Sequence, residues 1–404
     1  MKQKKIILVD GNNFFASCEQ LVNPDLTGKP ICVLSNNDGC VIARSQEAKQ
    51  IGVPMGIPYF MAKKSFPQVI YLSSDFALYH DISERMMRIL KNYSDLIDVY
   101  SIDEAFLDIS GTNIVFKLSY IEIAKKIKKD IENHIGINVS VGLAPSVVLA
   151  KTANYKAKKL SGIYEINKNS LYNELQQIPV EEIWGVGKNI SKTLRKYGIF
   201  YANQIILEDD KFIKFVLGKK GLELKYELSG FSIIPITGIE QKPKSIQRTR
   251  AFPEFSSNKE YIKTEIMMHL HNVCKKLRHY ELEAGYISVM LRTKDFKVIY
   301  AGENLQKMSN NEIELTKIIK NLFNKIFNSG ITYRSSGVWA SNLNDTKKIQ
   351  LSLFYEKQNS KESKISSVLD KLEDKFGKGI LSVGQIGIKD IAKYHSQKAP
   401  QRPF

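Results

Sequence analysis

Apolar residues recur with two different spacings along this chain of 404 residues. The run Ile6-Ile7-Leu8-Val9 has the length of a strand and stops at Asp10. Between residues 78 and 93, Ile82, Met86, Ile89 and Leu90 fall three to four apart, which predicts a helix. Leu96-Ile97-Asp98-Val99-Tyr100 and Phe106-Leu107-Asp108-Ile109 then predict a hairpin over 96–109. An amphipathic helix near 119–133, a strand over 137–143, a helix over 146–159 and a strand over 162–166 follow. Residues 30–75 form a small unit with one strand (31–34), a loop (35–39) and a helix from Ser45 broken at Gly52-Val53-Pro54. Such alternation over 170 residues predicts an α+β or α/β layer structure. Residues 171–236 read as mostly helical, and Pro243 between two lysines marks a linker near 241–245. A second α+β unit follows: a strand from 246, a helix over 259–280, strands over 285–293 and 298–303, a helix over 310–328 and a strand over 335–340. The polar end of the chain carries one expected helix, 362–376.

One break in this pattern carries chemistry. Ser101-Ile102-Asp103-Glu104-Ala105 places two adjacent carboxylates between strand-like runs. Buried charge is costly unless it is paired or holds a metal. Asp10 ends an apolar strand and is a third candidate. Three convergent carboxylates would suit magnesium, and two ions roughly 3.5–4 Å apart would make a phosphoryl-transfer centre. Adjacent side chains on an ideal strand face opposite ways, so both acids reach one site only if the backbone turns there. Alone, an acidic pair at a turn is an ordinary solvated feature.

Composition narrows the partners. At 43% hydrophobic, the chain can bury several domain cores. Its net charge is +17, and the excess concentrates after residue 240, whereas the candidate acids lie before it. That division suits a polyanionic substrate, although a solvated lysine-rich surface would give the same count. The four cysteines, Cys18, Cys32, Cys40 and Cys274, form no CxxC pair, so no zinc ribbon or disulfide framework is indicated. His269, His271 and Cys274 cluster on a predicted helix, but the two histidines face different ways and read as packing or surface residues. The apolar run after Lys2, Lys4 and Lys5 is too short for a signal segment and no long apolar span follows, so a reducing, cytoplasmic setting without membrane contact is expected.

Four ordered motifs resemble those of the Y-family (translesion) DNA polymerases. They are Val9-Asp10-Gly11-Asn12-Asn13-Phe14-Phe15-Ala16-Ser17-Cys18-Glu19, the run Ser101–Ala105, Ser140-Val141-Gly142-Leu143-Ala144-Pro145-Ser146 with Leu149-Ala150-Lys151, and Ser35-Asn36-Asn37-Asp38-Gly39-Cys40-Val41-Ile42-Ala43-Arg44. The last is similar to the UmuC type, the catalytic subunit of bacterial DNA polymerase V. The resemblance implies a right-handed α+β multidomain fold: palm (1–22 and 76–170), fingers (23–75), helical thumb with a helix–hairpin–helix (171–240), α+β little finger (241–345) and tail (346–404).

It also implies roles. Asp10, Asp103, Glu104 and the Gly11 carbonyl would hold two magnesium ions, making Asp10, Asp103 and Glu104 the catalytic carboxylates. Phe15 would be the steric gate that excludes a ribose hydroxyl. Lys158, with Lys49 and Arg44, would contact the triphosphate. Here the chain departs from much of the family: Gln46 stands where a tyrosine is common and Lys49 where an arginine is, and lysine lacks the bidentate fork. Gly185, Gly187 and Lys188 would bind a DNA phosphate through the hairpin. Gln350-Leu351-Ser352-Leu353-Phe354 resembles the pentapeptide that docks bacterial polymerases on the sliding clamp, Leu353 and Phe354 filling an apolar pocket beside Gln350 and Leu351. Primer–template DNA, dNTPs, a UmuD-like dimer and RecA are the implied partners. The leading expectation is template-directed, low-fidelity DNA synthesis across lesions. The alternatives are a catalytically inactive DNA-binding scaffold, a polymerase IV-type enzyme working without a UmuD-like partner, or another palm-type nucleotidyltransferase such as a cyclase.

Overall fold

The computed structural model describes residues 4–35, 38–239, 242–346, 368, 370–372, 375 and 376. The pentapeptide at 350–354, Asn36 and Asn37 lie outside the described residues. The expected helix 362–376 is described at six positions only, all helical. The described residues up to 239 and those from 242 onward form two compact units.

The first unit is built on a five-stranded sheet in the order β5-β6-β1-β7-β8. Its strands are β1 (Ile6–Gly11), β5 (Ile97–Val99), β6 (Glu104–Asp108), β7 (Val139–Ala144) and β8 (Ile163–Glu165). Strand β1 is buried along its whole length because both faces of the sheet are covered, as its unbroken apolar run requires. Ile7 and Val9 face a core with the helices Phe76–Lys91 and Tyr120–Ile135. Ile6 and Leu8 face the helix Val147–Lys159. The expected apolar face of the first helix is observed: Ile82, Met86 and Leu90 are buried, and Ile89 is half-buried. Ser119 and Glu122 form a capping box that starts the helix Tyr120–Ile135, and Gly136, at φ 86°, ends it.

The helix Val147–Lys159 lies very close to β7. A Cβ on Gly142 would stand 2.2 Å from the Asn154 backbone nitrogen and 2.3 Å from the Ala150 carbonyl oxygen, so only glycine fits. Asn154, 2% exposed, donates its side-chain amide to the carbonyls of Leu8 and Ser140 and stitches the helix to β1 and β7.

A three-stranded sheet, order β3-β2-β4, accounts for residues 31–73 with β2 (Ile31–Leu34), β3 (Val41–Arg44) and β4 (Ile70–Ser73). Sequence pattern finds only the first. β2 is apolar and buried throughout, whereas β3 and β4 are only partly buried and pair with β2, antiparallel for β3 and parallel for β4. The helices Lys188–Lys196, Ala202–Leu207 and Asp210–Leu228 complete the unit.

The second unit is a four-stranded antiparallel sheet, order β11-β10-β12-β9, with two helices packed on it. Its strands are β9 (Ile246–Ser256), β10 (Leu282–Thr293), β11 (Val298–Ser309) and β12 (Tyr333–Asp345). The helices are Lys259–His279 and Glu312–Ile326. All the expected elements are present, but β10, β11 and β12 run longer than apolar alternation indicates. The added ends of β10 and β12 bring Leu282, Ala284 and Tyr333 into the core, whereas much of β11 is exposed. His269 is buried, His271 Nδ1 lies 2.8 Å from Glu312 Oε2, and Cys274 is fully buried, so the three are packing residues. No described helix is long and apolar enough to cross a membrane.

Candidate active site

Strand pairing sets the site. In the antiparallel register of β1 and β6, Asp10 lies directly opposite Glu104. The backbone turns at Ser101–Asp103 just before β6 begins, so the adjacent acids are not held to strand alternation. The Gly11 amide donates to the Asp103 carbonyl at 2.9 Å, closing the two acidic loops on each other. The Asp103 carboxylate, however, accepts from the Ser101 hydroxyl at 2.5 Å. Asp10 and Glu104 therefore meet, whereas among the described residues no three His, Cys, Asp or Glu side chains stand grouped as a ready metal-holding set. A Cβ on Gly11 would approach the Phe14 ring to 2.8 Å, so this corner is also sterically tight.

Asp10 is only 2% exposed. Burial first, and then its contact with Glu104, raise its carboxyl to about 7, with Lys158 pulling the other way. Burial would raise Glu104 as well, but the hydrogen bond from Asp10 and the Lys151 ammonium outweigh it and hold Glu104 below the usual range. The two carboxyls are pushed in opposite directions because like charges this close oppose each other's ionisation. That hard oxygen donor set fits a divalent metal.

Two lysines flank the pair. Lys151 Nζ lies 2.5 Å from Glu104 Oε1, and Lys158 Nζ lies 2.7 Å from Asp10. Lys151, Asn154 and Lys158 sit three and four positions apart on one face of their helix. The helical period of the Leu149-Ala150-Lys151 motif places Lys151 on the face that carries Lys158. Lys49 belongs to the same electrostatic cluster: burial lowers its ammonium, and Arg44 and Lys158 lower it further while Asp10 opposes. Arg44 donates to the Val53 carbonyl at 2.5 Å, which ties its guanidinium to the neighbouring loop.

Phe15 lies in the first turn of the helix Phe14–Val22 and is half-buried, whereas Phe14 is in the core. Its ring stacks on Tyr79 with centroids 4.4 Å apart and meets Phe76 edge-on at 5.8 Å. The Tyr79 hydroxyl donates to Glu19 at 2.5 Å. Sequence reading missed this support because Tyr79 lies on a helix far along the chain. A cleft of about 470 Å³ opens beside the carboxylates, lined by Asp10, Glu104, Lys151, Tyr155, Lys158 and Trp184 among others. Trp184 donates to the Tyr100 hydroxyl at 3.3 Å.

The Gly185-Val186-Gly187 turn leads into the helix Lys188–Lys196, with Gly185 at φ 93°. The arm before it is a three-residue 3₁₀ turn, Val180–Glu182, rather than a full helix. Gly187 is the N-cap and offers no side chain to the first amides, and Lys188 is the first helical residue.

Comparisons with known proteins identify the family. The impB/mucB/samB family matches residues 9–155, and the C-terminal domain of that family matches residues 243–353. Protein SamB of Salmonella typhimurium is 33% identical over 387 residues, 92% of this chain and 91% of SamB. Protein UmuC of Salmonella typhimurium is 32% identical, covering 93% of this chain and 92% of UmuC. DNA polymerase IV 1 of Bacillus subtilis is 29% identical over 97% of this chain and 95% of its own length. Among solved structures, a Y-family polymerase chimera of Dbh and Dpo4 superposes with a TM-score of 0.70 at 26% identity, covering 84% of this chain and 99% of the chimera. An insertion ternary complex of Dbh DNA polymerase gives a TM-score of 0.59 at 26% identity over the same shares. The chain belongs to the impB/mucB/samB family and is a Y-family DNA-directed DNA polymerase.

Proposed function

We propose that the protein performs low-fidelity translesion DNA synthesis, joining a dNTP to a primer 3′-hydroxyl at the Asp10–Glu104 corner. The observation that carries this reading is the β1–β6 register that sets Asp10 against Glu104, with Asp103 tied to Gly11 through the backbone. In the reaction the 3′-oxygen attacks the α-phosphorus, the bond to pyrophosphate breaks, and the hydroxyl proton leaves to solvent.

Asp10, Asp103, Glu104 and the Gly11 carbonyl would hold two magnesium ions. When bound, these supply a lowered pKa at the primer hydroxyl and neutralise charge on the triphosphate. For Asp103 this requires its carboxylate to leave Ser101. Lys158, Lys49 and Arg44 bind the triphosphate. Phe15, braced by Tyr79, closes the space beside the sugar C2′. Gly185, Gly187 and Lys188 bind a backbone phosphate at a helix N-terminus.

In this reading the palm is 1–22 with 76–170, the fingers 23–75, the thumb 171–240 and the little finger 241–345. The tail 346–404 carries the clamp peptide Gln350–Phe354. A small fingers unit of one short three-stranded sheet rejects fewer mismatches by closure than a large one does. Identities of 31–33% to SamB, ImpB and UmuC, against 28–30% to polymerase IV relatives, favour the UmuC type and hence a damage-response setting with a UmuD-like dimer and RecA.

Primer extension across an abasic template tests this. The UmuC-type reading expects bypass to be weak with the chain alone and strongly stimulated by a UmuD-like dimer and RecA filaments. Full bypass by the chain alone would move it to the polymerase IV type. No bypass under either condition, with undamaged template still copied, would remove the translesion role.

A further inference from the structure

The two carboxylates at the site are held differently by their lysines. Lys151 contacts one oxygen of Glu104 at 2.5 Å, and its ammonium also lies 5.4 Å from the Tyr100 ring centre, so it is fixed on two sides. Lys158 lies 2.7 Å from both Oδ1 and Oδ2 of Asp10. One ammonium thus covers both oxygens that a divalent ion would use. The Asp10 side chain is 3% exposed, but that of Lys158 is 41% exposed, so the lysine has somewhere to go.

The surroundings supply a reason for it to move. Arg44 and Lys158 both act on the ammonium of Lys49, and Lys49 in turn feels Asp10. The ammonium groups of Lys49 and Lys158 therefore repel each other on the Asp10 side of the site. A triphosphate carries more negative charge than one aspartate and attracts the flexible lysine arm more strongly. The adjoining cleft of about 470 Å³ gives it room.

We propose that Lys158 is a nucleotide-operated latch: it occupies Asp10 and holds off a divalent ion until an incoming triphosphate draws it away. The proposal rests on Asp10 being a metal ligand. Linkage makes the coupling reciprocal, so a bound ion also raises nucleotide affinity, and couplings of this kind are typically about 5–150-fold.

The test is binding of Mn²⁺ alone to the full chain at pH 8, without DNA or nucleotide, followed by loss of the free-ion paramagnetic resonance signal. Native protein, Lys158→Met, Asp10→Asn and the two combined are compared, each checked for a native melting transition, with Lys158→Gln as a second, smaller neutral replacement. The latch predicts that Lys158→Met and Lys158→Gln bind Mn²⁺ at least about 5-fold tighter than native and that combining Asp10→Asn with Lys158→Met abolishes the gain. Equal or weaker binding by folded Lys158 variants, with Asp10→Asn still weakening it, overturns the latch and spares the metal reading. Binding that Asp10→Asn leaves unchanged, or no binding by any form, overturns both.

Discussion

Phe15 is positioned by its neighbours more than by its own helix. Its ring lies nearly parallel to Tyr79, 16° between planes, and Glu19 holds the Tyr79 hydroxyl in place. A ring fixed in this way can exclude one oxygen atom from the space next to a sugar. Phe15→Ala should therefore raise ribonucleotide use relative to deoxynucleotide use by roughly 10–100-fold in kcat/KM, the range of discrimination that a pocket achieves for a group this small. Unchanged sugar selectivity would remove Phe15 from the gate. Asp10 gives a pH signature. Burial and Glu104 raise its carboxyl from near 4 to about 7 in the folded, metal-free protein. The native state then binds more protons than the unfolded chain between those values, so this group's contribution to stability falls as pH rises from 4 to 7 and is level above that. In EDTA, the melting temperature of Asp10→Asn relative to native should be higher at pH 8 than at pH 5; a difference independent of pH would contradict the shift. At this scale the sequence motifs single out Asp10, Glu104 and Phe15 as candidates by type and position. They could not show that the Asp103 carboxylate turns to Ser101, because a side-chain rotamer leaves no trace in residue spacing.

Among the elements, the helix Val147–Lys159 matters most, because it carries Lys151, Asn154 and Lys158 to the site. Its start depends on a distant residue. Glu227 is fully buried near the end of the helix Asp210–Leu228. Its carboxylate accepts from the Val148 amide at 3.1 Å and from the amides of Ile233 and Ile234 at 2.6 and 2.9 Å. Its carbonyl accepts from the Ser146 hydroxyl at 2.6 Å, and Ser146 is the N-cap of the site helix. A buried carboxyl is tolerable here because three N–H groups, one of them at a helix N-terminus, satisfy its oxygens. Glu227→Ala leaves those amides unpaired and should destabilise the first unit by about 3–5 kcal/mol. Denaturant unfolding measures this, and a loss below about 1 kcal/mol would show that the amides find other partners. Apolar spacing made the long helices and central strands readable, since their faces are set by a periodic pattern. Glu227 was invisible to that reading, as were β3 and β4, because each depends on contacts far along the chain.

For the whole molecule, the described residues up to 239 and those from 242 onward form two compact units. The match of one family domain to 9–155 and of its C-terminal partner to 243–353 respects the same division. A net charge of +17 on such a chain favours DNA as the partner, with affinity that falls as salt displaces the lysines. Lys188→Ala should then lower the slope of log affinity against log salt by about 1, without altering sequence preference; an unchanged slope would take Lys188 away from the phosphate. The central claim is that the carboxylates at the β1–β6 corner make phosphodiester bonds. Its most direct test is primer extension with magnesium on undamaged template, comparing native protein with Asp103→Ala/Glu104→Ala, with equal DNA binding confirmed for both. The account predicts extension by the native chain and a loss of at least about 1,000-fold in the variant, comparable to removing a principal electrostatic group from an active site. Extension by the variant at a rate near native would contradict it.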